Sequence, residues 1–169
     1  MAFAREDRAK MGGVTMSKAF QGSSDILINA KPEPIWAILT DSTCLPQWAV
    51  MVKSTTGTTE RVGSTRTCQV EWEGRKDQVM ERCIEAVPLK RIGWVMEQGM
   101  MTQMFSTVQF GFELEPQGSG QTRLRLGFLY EPRNLVAGLM YYLMMNKKME
   151  GLRQELLKNI KNLVETRGS

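Results

Sequence analysis

Residues 24–48, SDILINAKPEPIWAILTDSTCLPQW, decide how the rest of this chain is read. From Asp25 to Ala30, Ile26, Ile28 and Ala30 alternate with Leu27 and Asn29, the period of a strand. Pro32 forces Lys31 out of the α region, and Pro34 suits the first turn of a helix, where its missing N–H has no partner to lose. Ile35, Trp36, Ile38 and Leu39 then make an apolar helical face. Asp41, Ser42 and Thr43 break that helix and supply an N-cap for a second short helix, which carries Leu45 and ends at Trp48.

This segment resembles the opening of the helix-grip superfamily. That group includes the START domains, the pollen-allergen-like (Bet v 1-like, SRPBCC) proteins, and the polyketide cyclase/dehydrase-like and lipid-transport-like proteins. Pro32, Pro34, Ile35, Trp36, Asp41, Leu45 and Trp48 carry the resemblance, which runs from about Ser23 to the C-terminus. It implies an α+β fold: a curved antiparallel sheet of about six to seven strands wrapped around a long C-terminal helix, with two short helices after the first strand. It also implies an apolar cavity between sheet and helix.

The pattern beyond residue 48 leads to the same layout without reference to the opening segment. Val50 to Ser54, Thr65 to Glu73, Asp77 to Val87, Arg91 to Glu97, Met104 to Glu115 and Thr122 to Tyr130 all read as strands. Cys68, Val70 and Trp72 alternate with polar neighbours, as do Val108, Phe110, Phe112 and Leu114, and Leu124, Leu126, Phe128 and Tyr130. One antiparallel sheet with a single apolar face needs a lid. The spacing predicts that lid over Asn134 to Thr166, where Leu135, Leu139, Tyr142, Met145, Met149, Leu152, Leu156, Ile160 and Leu163 recur three and four residues apart.

The 169 residues suffice for one domain with a full core. We read residues 1–22 as a separate, flexible tail and 23–169 as the helix-grip ligand-binding domain; Met16 is a second candidate start. The tail holds no apolar run long enough for a signal peptide, and no window of the chain reaches the length of a transmembrane helix. The net charge of +4 is mild, and no dense Lys/Arg run points to nucleic acid. Three widely spaced cysteines read as reduced, buried thiols of a cytoplasmic protein. The chain has no histidine, which removes His-based metal sites and Ser-His or Cys-His dyads. No cofactor and no metal are expected.

Methionine is the compositional oddity, with thirteen in the chain. Met100, Met101 and Met104 fall at a predicted hairpin, and Met140, Met144, Met145 and Met149 fall in the first half of the long helix. The unbranched thioether adapts to ligands of varied shape, although it also fills ordinary cores. The candidate cavity lining on the sheet is Trp72, Arg82, Trp94, Met96, Met104, Phe110, Phe112, Phe128 and Tyr130. On the helix it is Leu139, Tyr142, Met145 and Met149. Trp36 and Trp48 are expected to pack the short helices instead.

Arg82 stands on this list through one of two strand phases. Either Met80, Arg82 and Ile84 face the helix, or Val79 and Cys83 do and Arg82 lies in water. Leu135 to Met145 is apolar almost all round and is followed by Lys147 and Lys148. It is too short to span a membrane but suits transient contact with a membrane surface.

The leading expectation is non-covalent binding of a small hydrophobic ligand, lipid or polyketide-like, by a carrier or sensor. The alternatives are a polyketide cyclase/aromatase-type enzyme, with no catalytic residue assignable, and a protein-interaction module that uses the long helix. The sequence sets no oligomeric state.

Overall fold

The computed structural model describes residues 20–168. Seven antiparallel strands form one sheet in the order β1-β7-β6-β5-β4-β3-β2. They are β1 (Gly22–Ile28), β2 (Val52–Gly57), β3 (Thr65–Trp72), β4 (Arg75–Val87), β5 (Arg91–Gln98), β6 (Phe105–Gln117) and β7 (Gln121–Pro132). Between β1 and β2 lie α1 (Pro32–Thr40), a 3-10 turn (Ser42–Cys44) and α2 (Leu45–Trp48). The Met-rich connection lies between the antiparallel neighbours β5 and β6, as the sequence predicts, and includes a single turn of helix, α3 (Met101–Met104).

The long C-terminal helix comes in three parts: α4 (Leu135–Met140), a π-helical stretch (Tyr141–Met145) and α5 (Asn146–Arg167). The helix-grip layout expected from residues 24–48 is the fold observed.

The opening segment folds as its residues dictate. Lys31 is extended (φ −67°, ψ 166°), and Pro32 begins α1. Asp41 Oδ1 accepts from the Thr43 N–H at 2.8 Å and from the Thr43 hydroxyl at 2.6 Å, capping the turn before α2. The hydrogen bonds from Thr43 and Cys44 hold the Asp41 carboxyl below its usual range.

The inner face of the sheet, α1, α2 and α5 share one core. Its largest fully buried side chains include Trp94, Phe105, Phe112, Ile35, Leu39, Leu157 and Ile160. The C-terminal half of α5 is tied down by polar contacts as well. Asn159 Nδ2 donates to the Trp48 carbonyl at 3.1 Å, Lys161 Nζ to the Leu27 carbonyl at 2.8 Å, and Arg167 Nη2 to Gln47 Oε1 at 2.9 Å.

The outer face carries cross-strand ion pairs, Arg91 with Glu85 and Arg125 with Glu113. It is not wholly solvated. Phe20 lies flat on Gly127, where a Cβ would come within 2.0 Å of its ring, and Gln109 and Leu129 on that face are buried. Gln21 also joins the fold: its N–H donates to the Phe128 carbonyl at 3.0 Å, and its Oε1 accepts from the Tyr130 N–H at 3.2 Å. Residues 20–22 are therefore part of the domain. The expectation of a flexible tail otherwise falls on residues 1–19, outside the described residues.

Two sequence expectations are corrected here. Leu135, Leu139 and Tyr142 do not face the sheet; they are 93%, 59% and 69% exposed. The π-helical stretch takes an extra residue into its turn and so shifts the helical phase. Tyr141 and Met145 meet the core instead, and the regular apolar stripe begins at Met149. Arg82 lies on the solvent side, where its Nε donates to Glu97 Oε1 at 2.5 Å. The alternative phase holds: Val79 and Cys83 are buried, and Glu81 turns inward with them. β4 carries a bulge between Cys83 and Glu85, which breaks a strict period-2 reading of this strand.

Candidate functional site

Register places the aromatic residues of three strands side by side. Trp94 on β5 pairs with Phe110 on β6, and Phe110 pairs with Phe128 on β7. Their rings therefore stack across the sheet, Trp94 on Phe110 at 5.3 Å between centroids and Phe110 on Phe128 at 5.6 Å. Phe128 is parallel to Tyr130 at 5.7 Å, and Tyr130 meets Tyr141 of the π-helical stretch at 4.8 Å. Phe105 closes this end, edge-on to Tyr141 at 5.3 Å. The ladder runs unbroken from the middle of the sheet to the helix. Each such pair adds about 0.5–1.5 kcal/mol beyond its buried area.

Polar groups sit along the ladder. At one end Arg66 of β3 and Glu81 of β4, direct register partners, form an ion pair with Nε to Oε2 at 2.7 Å. Both are buried, and the Arg66 guanidinium carbon lies 4.8 Å from the centroid of the Trp94 ring. Arg66 Nη1 also reaches the hydroxyl of fully buried Thr59 at 3.5 Å.

At the other end Arg153 of α5 is 5% exposed. Its Nε donates to the Ser24 hydroxyl at 3.3 Å. Among the described residues, the buried hydroxyl of Tyr130 and Nε1 of Trp94 have no hydrogen-bond partner of good geometry.

Burial keeps the phenols and thiols of this face neutral. The Tyr130 phenol is pushed far above its usual value by desolvation, and Tyr141 is raised for the same reason. Cys68 is pushed up to about 11, chiefly by burial, and Cys83 is raised likewise. These thiols are poor nucleophiles. The face thus offers neutral phenol and indole donors, one internally paired ion pair and one guanidinium with no carboxylate partner among the described residues.

Of the residues singled out from sequence, Trp94, Phe112, Phe128, Tyr130 and Met149 are buried on this face. Trp72, Met96, Met104, Phe110 and Met145 are half-buried against the same core. Arg82, Leu139 and Tyr142 are not brought to it. Arg66, Glu81 and Arg153 belong to it and were missed, and Tyr141 takes the place on the sheet-facing side that the stripe gave to Tyr142.

Parity could have found two of them. Arg66 shares the period-2 face of Cys68 and Val70, and Glu81 that of Val79 and Cys83. Arg153 follows Met149 by four residues and precedes Leu156 by three, the spacing of one helical face. Tyr141 had no signal, because the π turn that points it inward leaves no mark in an all-apolar run. A separate open hollow of about 510 Å³ lies along β2–β4, lined by Lys53, Gln69, Val70, Glu71, Lys76, Asp77 and Gln78. Its charged lining shares nothing with the aromatic ladder.

Beside the ladder the surface is apolar. Leu135, Val136, Leu139, Met140, Tyr142, Leu143 and Met144 are all exposed on α4 and the π-helical stretch. Among the described residues no helix is long and apolar enough to cross a membrane.

Three comparisons bear on identity. In structure, the chain is similar to a START superfamily protein from Mycobacterium smegmatis (TM-score 0.65, 21% identity, covering 84% of this chain and 97% of that one). It is also similar to the Zhui aromatase/cyclase from a Streptomyces species (TM-score 0.72, 16% identity, 88% and 94% covered). A third similar structure is a norcoclaurine synthase point mutant from Thalictrum flavum (TM-score 0.70, 13% identity, 88% and 95% covered). At these identities the likeness shows the fold alone. No curated relative matches in sequence. A sequence profile described as "Polyketide cyclase / dehydrase and lipid transport" matches residues 19–165. That match spans most of the chain, the whole of the sheet and nearly all of the long helix described above: the chain belongs to the polyketide cyclase/dehydrase and lipid-transport family.

Proposed function

We propose that this protein binds a small hydrophobic molecule, lipid or polyketide-like, non-covalently between the sheet and α5, as a carrier or sensor. The observation that carries the reading is the two-sided segment at Tyr141–Met145. One side holds Tyr141 and Met145 against the aromatic ladder, and the other continues the exposed apolar surface of α4. So large a run of exposed apolar side chains marks a place of contact with something apolar. An incoming molecule passes from that surface to the inner face by parting Tyr141 from Tyr130 and Phe105. Single-turn π bulges inside helices recur at functional sites, and the π turn is the place where the helix yields.

Arg133, Lys147 and Lys148 flank the apolar segment, which suits exchange of the ligand at an anionic membrane surface. Native mass spectrometry of the purified full chain tests the binding reading. A small molecule that co-purifies under gentle conditions and is released on denaturation supports it. An apo protein that takes up no apolar compound contradicts it.

The second reading is an enzyme of the cyclase or aromatase type. Glu81 and Arg66 favour it, being ionisable groups on the inner face within reach of whatever stacks beside Trp94. Two of the structural relatives named above are an aromatase/cyclase and a synthase, which raises the same possibility for this chain. Against it, the carboxylate is already held by the guanidinium. The chain also has no histidine to serve as a general base near neutral pH. Turnover of a polyketide mimic that is lost in Glu81→Gln would favour the enzyme over the carrier.

A further inference from the structure

The binding reading does not say what the bound molecule carries at its polar end. Arg153 does. Its guanidinium is buried on the inner side of α5, and no carboxylate among the described residues pairs with it. Among the described residues its one hydrogen bond runs 3.3 Å from Nε to the neutral Ser24 hydroxyl, which leaves the Nη groups to other partners. A buried arginine without an anion is costly, because its desolvation is not offset by Coulomb attraction.

The surroundings are built to admit that charge. The guanidinium lies over β1 at Gly22, where a Cβ would come 3.2 Å from Nη1. Tyr130 and Tyr141 stand close enough for its charge to act on both phenols. Among the described residues, the buried Tyr130 hydroxyl faces the Tyr141 phenol without a hydrogen bond of good geometry, so it is able to turn to a stronger acceptor.

Resting on the binding reading, the geometry points to a ligand with an anionic oxygen at one end of an apolar body. Its carboxylate, enolate or phenolate accepts from Arg153 Nη and from the Tyr130 hydroxyl. Its body lies along Phe128 and Phe110. The anion completes a planar guanidinium fork that the protein itself leaves half-used. Two sources share this chemistry: an acyl chain ending in a carboxylate, and a fused aromatic acid or phenol.

The test is isothermal titration of the full chain with decanoate, decan-1-ol and 1-hydroxy-2-naphthoate. Decanoate should bind at least tenfold tighter than decan-1-ol, which has the same chain without the charge. Whichever of the two anions binds tighter identifies the acyl or the aromatic source. Arg153→Gln should remove the preference, weakening decanoate at least tenfold while decan-1-ol stays within twofold. Arg153→Lys should keep part of it. If Arg153→Gln fails to fold, Tyr130→Phe gives the same reading from the other donor, with decanoate weakened and decan-1-ol unchanged. Equal binding of decanoate and decan-1-ol by the wild type overturns the anion inference and leaves the binding reading standing. Binding of none of the three overturns both.

Discussion

Arg66→Met is the perturbation whose size follows most directly from the structure. It removes a guanidinium 2.7 Å from Glu81 Oε2 and leaves that carboxylate, 8% exposed, with no partner among the described residues. An uncompensated buried charge of this kind costs about 3–5 kcal/mol. Glu81→Met strands the arginine instead, but Arg66 keeps the Trp94 face at 4.8 Å and Thr59 at 3.5 Å. A cation over an indole recovers about 0.5–2 kcal/mol, so this variant should lose less, about 2–4 kcal/mol.

The double variant leaves no charge behind and restores an apolar interior of similar volume. It should lie within about 1 kcal/mol of wild type, or above it. Urea unfolding with linear extrapolation measures all four proteins, and the cycle gives the coupling. Single variants that each lose less than about 1 kcal/mol would mean that water reaches the pair. A double variant as unstable as the sum of the singles would mean that Arg66 and Glu81 act through other groups.

On α5, Leu156→Ala should cost about 2–5 kcal/mol, because Leu156 is buried in the core, whereas Lys158→Ala on the exposed side should cost about 0.5 kcal/mol or less. Equal losses in urea unfolding would mean that the helical phase is misassigned. Tyr130 gives a pH dependence: its folded phenol is raised above the usual value of 10.0, so its contribution to stability is intact below about pH 10 and is lost as pH rises above that value. Urea midpoints between about pH 9 and 11.5 should fall less steeply in Tyr130→Phe than in wild type. Identical slopes would place that phenol in water.

The fold was legible because its determinants are local. Prolines 32 and 34 set the start of α1, Asp41 caps the turn before α2, and period-2 alternation phases β5, β6 and β7 correctly. The site was less legible, because its defining features are departures from period. Glu81 shares the period-2 face of Val79 and Cys83, but the bulge between Cys83 and Glu85 leaves Ile84 buried beside Cys83, and parity counted back from Ile84 puts Arg82 inward instead. The π turn rotated α4 so that Tyr141, not Tyr142, meets the sheet. An all-apolar run carries no polar face from which that rotation could be read. Arg66 and Arg153 were readable by spacing alone. Charge argued for solvent at both positions, and a favourable pair or a waiting donor set prevails over that expectation only in three dimensions.

Binding of an apolar probe between sheet and helix tests the central claim most directly. N-phenyl-1-naphthylamine titrated into the native full chain should show saturable, one-to-one fluorescence enhancement. Met145→Trp adds bulk where the π-helical stretch meets the core. It should weaken that binding at least tenfold, about 1.4 kcal/mol, while lowering stability by less than the 1–3 kcal/mol typical of overpacking a solid core. A wild-type protein that never binds the probe, with a Met145→Trp variant destabilised by several kcal/mol, would contradict it: the ladder from Trp94 to Tyr141 would then be a closed core.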